Sequence, residues 1–210
     1  MVVGPAGQRT RAGLRERKKR ATRQALSSAA LQLSLERGVE NVTIEDITEA
    51  AGVSLRTFRN YFASKYEAIT ALGADRARRI GASLLERPAE EPLWTALTGA
   101  VLEHYEGSDQ AFGTETMTAL RLVLDSPAMR GEYLKINSEI QNALAAAIAQ
   151  RTATDIESDM YPQILAGAVT AASQVALRRW YAADPPVALR PLLERALRQL
   201  ATACSQPPQP

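Results

Sequence analysis

Residues 43–65 read TIEDITEAAGVSLRTFRNYFASK and hold the densest set of chemically useful side chains in the chain. Arg56, Arg59 and Lys65 are cations, Asn60 and Thr57 carry hydrogen-bonding groups, and Tyr61 carries a phenol. Such groups suit binding to a polyanion rather than the making or breaking of bonds. An arginine can donate two hydrogen bonds to a guanine edge, worth about 1–3 kcal/mol of discrimination, and Leu55 can touch a thymine methyl. Catalytic constellations are scarce by contrast. With one histidine, His104, and one cysteine, Cys204, a disulfide framework, a Cys-based zinc cluster and a Ser-His triad are disfavoured, although a Ser–Lys dyad stays open. No HExxH, GxSxG or phosphate loop occurs, so a helical enzyme is only a remote alternative.

These groups need short helices to hold them. A first helix is expected over residues 14–37, with Leu26, Ala29, Ala30 and Leu33 on one buried face. Gly38 supplies a left-handed end, with Val39 as its apolar contact. Thr43 caps a second helix, and Asp46 places negative charge in its first turn. Ile44, Ile47 and Ala51 should face inward. Gly52 permits a sharp turn, Val53 plugs the gap, and Ser54 caps a third helix whose Leu55, Phe58 and Phe62 point to the core. Ser64 and Glu67 form a capping box for a fourth helix reaching about Leu85.

Further helices are expected over residues 93–106, 112–124, 127–151, 156–182 and 189–203, with a loop at 107–110. Ser126-Pro127 reads as a cap and first-turn proline, Thr154/Glu157 as another capping box, and Asp184-Pro185-Pro186 as a break. The expected fold is all-α with about nine helices. Its divisions are a disordered basic arm (1–13), a helix-turn-helix domain (14–63), a larger helical domain (64–204) and a flexible tail (205–210).

Charge follows the same division. Residues 1–65 carry 12 Lys and Arg against 6 Asp and Glu, a balance of +6, and the remainder carries 13 against 17, a balance of −4. A basic head on a mildly acidic body places the polyanion contact on the head. No stretch is apolar for the ~18 residues of a membrane span. The basic run before the first apolar face could mimic a targeting peptide, but Gln24, Ser27, Ser28, Gln32 and Ser34 interrupt it. A cytoplasmic protein without a membrane partner is expected.

Gly38, residues 43–47 (TIEDI), residues 50–54 (AAGVS), Thr57-Phe58, Tyr61-Phe62 and Ser64-Lys65 stand in an order and spacing that resembles the DNA-binding domain of the TetR family of bacterial transcriptional regulators. The resemblance is highly specific over residues 14–70 and extends less specifically to the helical remainder. It implies a homodimer whose paired third helices enter successive major grooves of a palindromic operator. Ser54, Leu55, Arg56, Thr57, Arg59 and Asn60 would then form the reading surface. By the same analogy Thr43, Tyr61 and Lys65 would contact phosphate, and Arg15, Arg17, Lys18, Lys19 and Arg20 would track the backbone or enter a minor groove. Each has a structural alternative. Tyr61 can simply pack its ring, Thr43 can be a cap alone, Arg59 can point to solvent, and the basic run can be a solvated face.

The resemblance further implies an effector pocket in the C-terminal domain. Apolar stripes at helical spacing supply Trp94, Leu97, Val101, Tyr105, Met117, Leu120 and Leu124, while His104, Arg121, Asn137, Gln163 and Gln174 are polar groups that could converge on a ligand. The alternative is that the stripes are core. Arg121, within a mostly apolar stretch, would need an acidic partner or an anionic ligand if buried. The segment is similar to family members that respond to lipophilic, including acyl-type, effectors. Ala166, Val169, Thr170, Ser173, Leu177, Trp180, Leu193, Leu197 and Leu200 would form an intersubunit four-helix bundle, with intramolecular packing as the alternative. The combined expectation is an effector-released repressor without cofactor or metal. An activator, or a DNA-binding protein without effector, is the alternative.

Overall fold

A computed structural model describes residues 5–105, 121, 125–185 and 187–205, with only the backbone described for residues 5–14 and 203–205. Every regular element among the described residues is helical. The helices are α1 (Pro5–Arg37), α2 (Ile44–Ala50), α3 (Leu55–Arg59), α4 (Lys65–Glu86), α5 (Leu93–Glu103), α6 (Arg130–Thr152), α7 (Tyr161–Tyr181) and α8 (Leu189–Ser205). Single 3-10 turns occupy Val39–Asn41 and Pro127–Met129. The expected 107–110 loop and 112–124 helix lie outside the described residues, apart from Arg121.

The chain divides into two compact units, Met1–Leu72 and Gly73–Pro210. The division falls inside α4, several residues beyond the 63/64 boundary expected from sequence.

In the first unit α1 starts earlier than expected. Pro5 stands first in the helix, where a missing amide hydrogen costs nothing. The expected disordered arm is therefore helical from that point. The inward face of α1 carries Leu26, Ala30 and Leu33, all buried. Ser27 and Ser34 are buried on the same helix, and each hydroxyl donates back to a carbonyl one turn earlier. That satisfies polar atoms that burial would otherwise penalise. Gly38, at φ 79°, ends the helix, and its amide donates to Ser34 O at 3.0 Å. Val39 and Val42 then bury beneath the turn.

In the second unit α5, α6, α7 and α8 share one core, joined by Ile80 and Leu84 of α4. Leu97, Ile148, Val169, Leu193 and Leu197 are almost wholly removed from solvent. Each such side chain contributes about 1.5–3 kcal/mol of burial free energy. Arg151 closes one end of this unit. Its guanidinium donates to four backbone carbonyls, those of Leu84, Arg87, Pro88 and Glu91, at 2.6–3.1 Å.

Two expected helix starts differ. The 3-10 turn at Pro127–Met129 precedes α6, and Ser126 makes no side-chain cap there. Thr154 and Glu157 form no capping box, and α7 begins at Tyr161 rather than near Ile156. The reason is local competition. Asp155 accepts from the Glu157 amide at 3.0 Å and from Ser158 Oγ at 2.9 Å, which holds its carboxyl below the usual carboxylate range. The Thr154 hydroxyl pairs with that of Thr152 instead. Such side-chain turns divert the amides a helix would need. Asp159 then accepts from the Tyr161 amide at 2.8 Å as α7 opens.

Candidate DNA-reading surface

The helix-turn-helix is built by caps and two aromatic rings. Thr43 and Asp46 make a reciprocal capping box on α2: the Asp46 amide donates to Thr43 Oγ1 at 3.1 Å, and the Thr43 amide donates to Asp46 Oδ2 at 2.8 Å. The Thr43 hydroxyl also donates to Asp46 Oδ2, at 2.6 Å. These bonds, with Arg37 nearby, hold the Asp46 carboxyl below the usual carboxylate range. Gly52, at φ 65°, makes the turn, as expected. Ser54 then caps α3, accepting from the Thr57 amide at 3.2 Å.

The buried side of α3 is fixed by Phe58 and Phe62, whose ring centroids lie 5.7 Å apart in a tilted pair. Leu55 and Thr57 are half-buried, and Arg56, Arg59 and Asn60 are exposed. The structure thus brings together on one short helix a set of exposed groups able to read base edges. Arg15, Arg17, Lys18, Lys19 and Arg20 are all exposed on α1, with Glu16 alone among them carrying negative charge.

Two residues expected on phosphate make bonds within the unit. The Lys65 ammonium donates to the carbonyls of Val39 and Val42 at 2.8 Å each, and to that of Glu40 at 3.4 Å. Those carbonyls accept its three hydrogens, which holds the ammonium against the turn before α2. The Thr43 hydroxyl likewise donates to Asp46. Thr43 acts as a cap. Tyr61 is half-buried, with its ring 6.5 Å from that of Phe62.

Sequence reasoning missed Arg23. Its guanidinium lies over the Phe62 ring, 4.6 Å from the centroid, and Nη1 donates to Tyr61 O at 3.3 Å. It therefore ties α1 to the end of the reading helix. Its position three residues before buried Leu26 was the available signal, since that spacing places both on one helical face.

Of the residues expected to line a pocket, Leu97 and Val101 are core, Trp94 is half-buried against that core, and Tyr105 is buried. Gln174 donates to Asn137 Oδ1 at 2.8 Å, and Gln163 donates to Ile156 O. Met117, Leu120 and Leu124 lie outside the described residues. Arg121 is a correction: its side chain is 58% exposed, and Asp125 pairs with it at 3.8 Å, one helical turn away. Solvent and a neighbouring carboxylate therefore serve it without a ligand.

Residues 26–72 match the model described as bacterial regulatory proteins of the tetR family, and residues 91–205 match the MftR C-terminal domain. The transcriptional regulator TcmR of Streptomyces glaucescens is 38% identical over 179 residues, covering 80% of this chain and 77% of TcmR. The chain belongs to the TetR family. The mycofactocin biosynthesis regulator MftR of Mycobacterium tuberculosis is 23% identical, covering 78% of this chain and 82% of its own. Among solved structures, a TetR-family protein from Syntrophomonas wolfei shares the fold at TM-score 0.62 and 19% identity, covering 89% of this chain and 96% of its own.

As a TetR-family member the protein is a DNA-binding transcriptional regulator. The residues expected at a subunit interface are placed differently from expectation. Ala166, Val169, Thr170, Trp180, Leu193 and Leu197 are buried within the single chain, and Ser173, Leu177 and Leu200 are half-buried. The Thr170 and Ser173 hydroxyls donate to carbonyls of their own helix. Ala166, Val169, Trp180, Leu193 and Leu197 belong to the core of the single chain, and Leu177 and Leu200 pack against it. The outward face of α7 is a different one. Tyr161, Ile164, Ala168, Ala171 and Val175 recur every three or four residues along it, with Ile164 64% and Val175 43% exposed. Among the described residues no helix is long and apolar enough to cross a membrane.

Proposed function

We propose that this regulator is a homodimeric repressor that reads a palindromic operator through α3 and leaves it when a small effector binds the second unit. The observation that carries the reading is the pairing of buried Phe58 with exposed Arg56 and Arg59 on one capped, five-residue helix, with exposed Asn60 as its C-cap. A rigid inner side and a donor-rich outer side are what base readout requires. Arg56 and Arg59 supply sequence discrimination. Ser54, Leu55 and Thr57 sit at the helix start, where base edges are approached. Tyr61 and the α1 cations Arg15, Arg17, Lys18, Lys19 and Arg20 position the head on phosphate.

Two copies join through the outward face of α7. An apolar stripe repeated at intervals of three and four residues suits close packing of a helix against its own symmetry mate. The effector acts as a differential ligand, with higher affinity for the conformation that binds DNA poorly.

Selection of bound duplexes from a random pool, followed by fluorescence anisotropy on the selected site, tests the reading. The expected result is a palindromic site bound by two chains, with an isolated half-site bound far more weakly. Equal affinity for whole and half sites, with one chain per duplex, would reject it.

A further inference from the structure

Among the described residues of the second unit, two buried side-chain nitrogens have no hydrogen-bond partner. Arg76 of α4 lays its guanidinium over Tyr105, with Cζ 4.5 Å from the ring centroid. Nε of this guanidinium is buried and has no hydrogen-bond partner. His104, the residue beside Tyr105, repeats the pattern: its Nε2 is also buried and without a partner. Buried polar atoms are nearly always hydrogen-bonded, and leaving two neighbouring ones unpaired costs stability. Two such atoms, one on a guanidinium lying over the Tyr105 ring and one on the residue next to it in sequence, mark a place where a ligand oxygen could be held.

We propose that Arg76, His104 and Tyr105 bind the oxyanion head of an apolar organic acid, and that this acid is the effector; the inference rests on the effector-released reading above. The surrounding groups favour an acceptor-bearing anion. Burial pushes the Tyr181 phenol up to about 12 and raises that of Tyr133, which also feels Tyr105. Both phenols therefore stay protonated and able to donate. Burial, opposed by Glu103 and assisted by Arg79 and Arg76, lowers the His104 pKa, so the imidazole is neutral and carries one N–H. The charged groups that act on His104 are Arg76 and Arg79 against Glu103, and those that act on Tyr181 are Arg121 and Arg178 against Asp125. Glu103 is already engaged by Ser83 Oγ at 2.8 Å, and Asp125 by Arg121. Arg121 and Asp125 offset each other, which leaves Arg76, Arg79 and Arg178 in excess, and Tyr105 belongs to the apolar core that also holds Leu97, Val101 and Trp180. An acid with a hydrocarbon or aromatic body meets both conditions.

Calorimetric titration of the purified full chain with 2-naphthoate and with decanoate, each compared with its primary amide, tests the assignment without DNA. At least one acid binds, about tenfold or more tightly than its amide, since a charge-assisted hydrogen bond is roughly twice as strong as a neutral one. Arg76→Leu removes that margin, and Arg195→Gln, on the exposed side of α8, leaves it. Equal binding of acid and amide, or no binding of either acid, overturns the proposal. A ligand-independent measurement accompanies it. His104→Phe removes an unpaired buried atom and leaves the melting temperature unchanged or raised; a fall of more than about 5 °C would mean the atom is satisfied by the fold, and would also overturn it. Operator binding is assayed in parallel. Failure of the acids, with operator still released by a cell extract, sinks this site and leaves the regulator reading standing, whereas absence of any operator sinks that reading.

Discussion

The Lys65 ammonium, at the start of α4, donates to the carbonyl oxygen of Val42 at 2.8 Å across 23 sequence positions. With Val39 and Glu40 it completes a three-carbonyl cradle that holds the loop before α2 against the start of α4. A lysine that the family resemblance places on phosphate thus also staples the reading head. Lys65→Met should lower stability by about 1.5–3 kcal/mol, the range for hydrogen bonds to a charged group. Chemical denaturation reads that loss. Operator affinity should fall with it, but the slope of log Kd against log salt should not change. A slope reduced by about 0.9, the value for one neutralised phosphate, would restore Lys65 to the DNA surface.

The α1 cations should behave in the opposite way. Arg17, Lys18 and Lys19 are exposed, and none takes part in a described tertiary bond. Replacing all three with Gln should leave the melting temperature within about 2 °C, as expected for surface substitutions. The salt slope should drop by up to about 2.7, since each phosphate no longer neutralised removes about 0.9. An unchanged slope would make this run an ordinary solvated face.

Arg56→Ala and Arg59→Ala should relax specificity rather than affinity for bulk DNA. Loss of a bidentate arginine–guanine pair costs about 1–3 kcal/mol against the cognate site and little against a scrambled one. Competition anisotropy with the two duplexes measures the ratio. If both variants keep the parent ratio, α3 does not read the sequence through these residues.

What the sequence made legible is local. Thr43 with Asp46, Gly52, Ser54, and Phe58 with Phe62 each act within a few residues, so cap, turn and buried face followed from spacing alone. Lys65 did not, because its carbonyl partners lie over 20 residues upstream and a lysine's type does not reveal whether its charge is used inside or outside. The start of α7 was misplaced because Asp155 outcompetes Thr154 for the same amides. Which side of α7 meets the core was hidden for a related reason. Ala166, Gly167, Ala168, Ala171 and Ala172 make that helix small and apolar nearly all round, so periodicity cannot say which side meets the core.

The Asp46 carboxyl, held low by the Thr43 hydroxyl and amide, links the α2 cap to pH. Its folded pKa lies below the unfolded value, so its contribution is fully present above that value, near 3.8. It is lost as pH falls through the folded pKa. The parent should therefore lose stability more steeply than Asp46→Asn on acidification below about pH 4, in the carboxylate range. Thermal melts of both proteins from pH 6 to pH 3 compare the slopes. Parallel curves would show that the cap survives protonation.

The two faces of α7 give the sharpest contrast. Ile164 is 64% exposed and Val169 is 1% exposed, five residues apart on one helix. A charge at Val169 must enter the core, with cavity, strain and an unpaired ion, so Val169→Arg should cost more than about 4 kcal/mol and fail to fold. A charge at Ile164 stays in water within a single chain, so Ile164→Arg should keep its helical circular dichroism. In a dimer joined along Ile164, Ala168, Ala171 and Val175, however, the two symmetry-related arginines would meet each other across an apolar seam. Sedimentation velocity should then find Ile164→Arg as a folded monomer, with operator affinity falling toward that of a half-site. If Ile164→Arg sediments as the parent does and still binds the palindrome, two copies do not meet on this face.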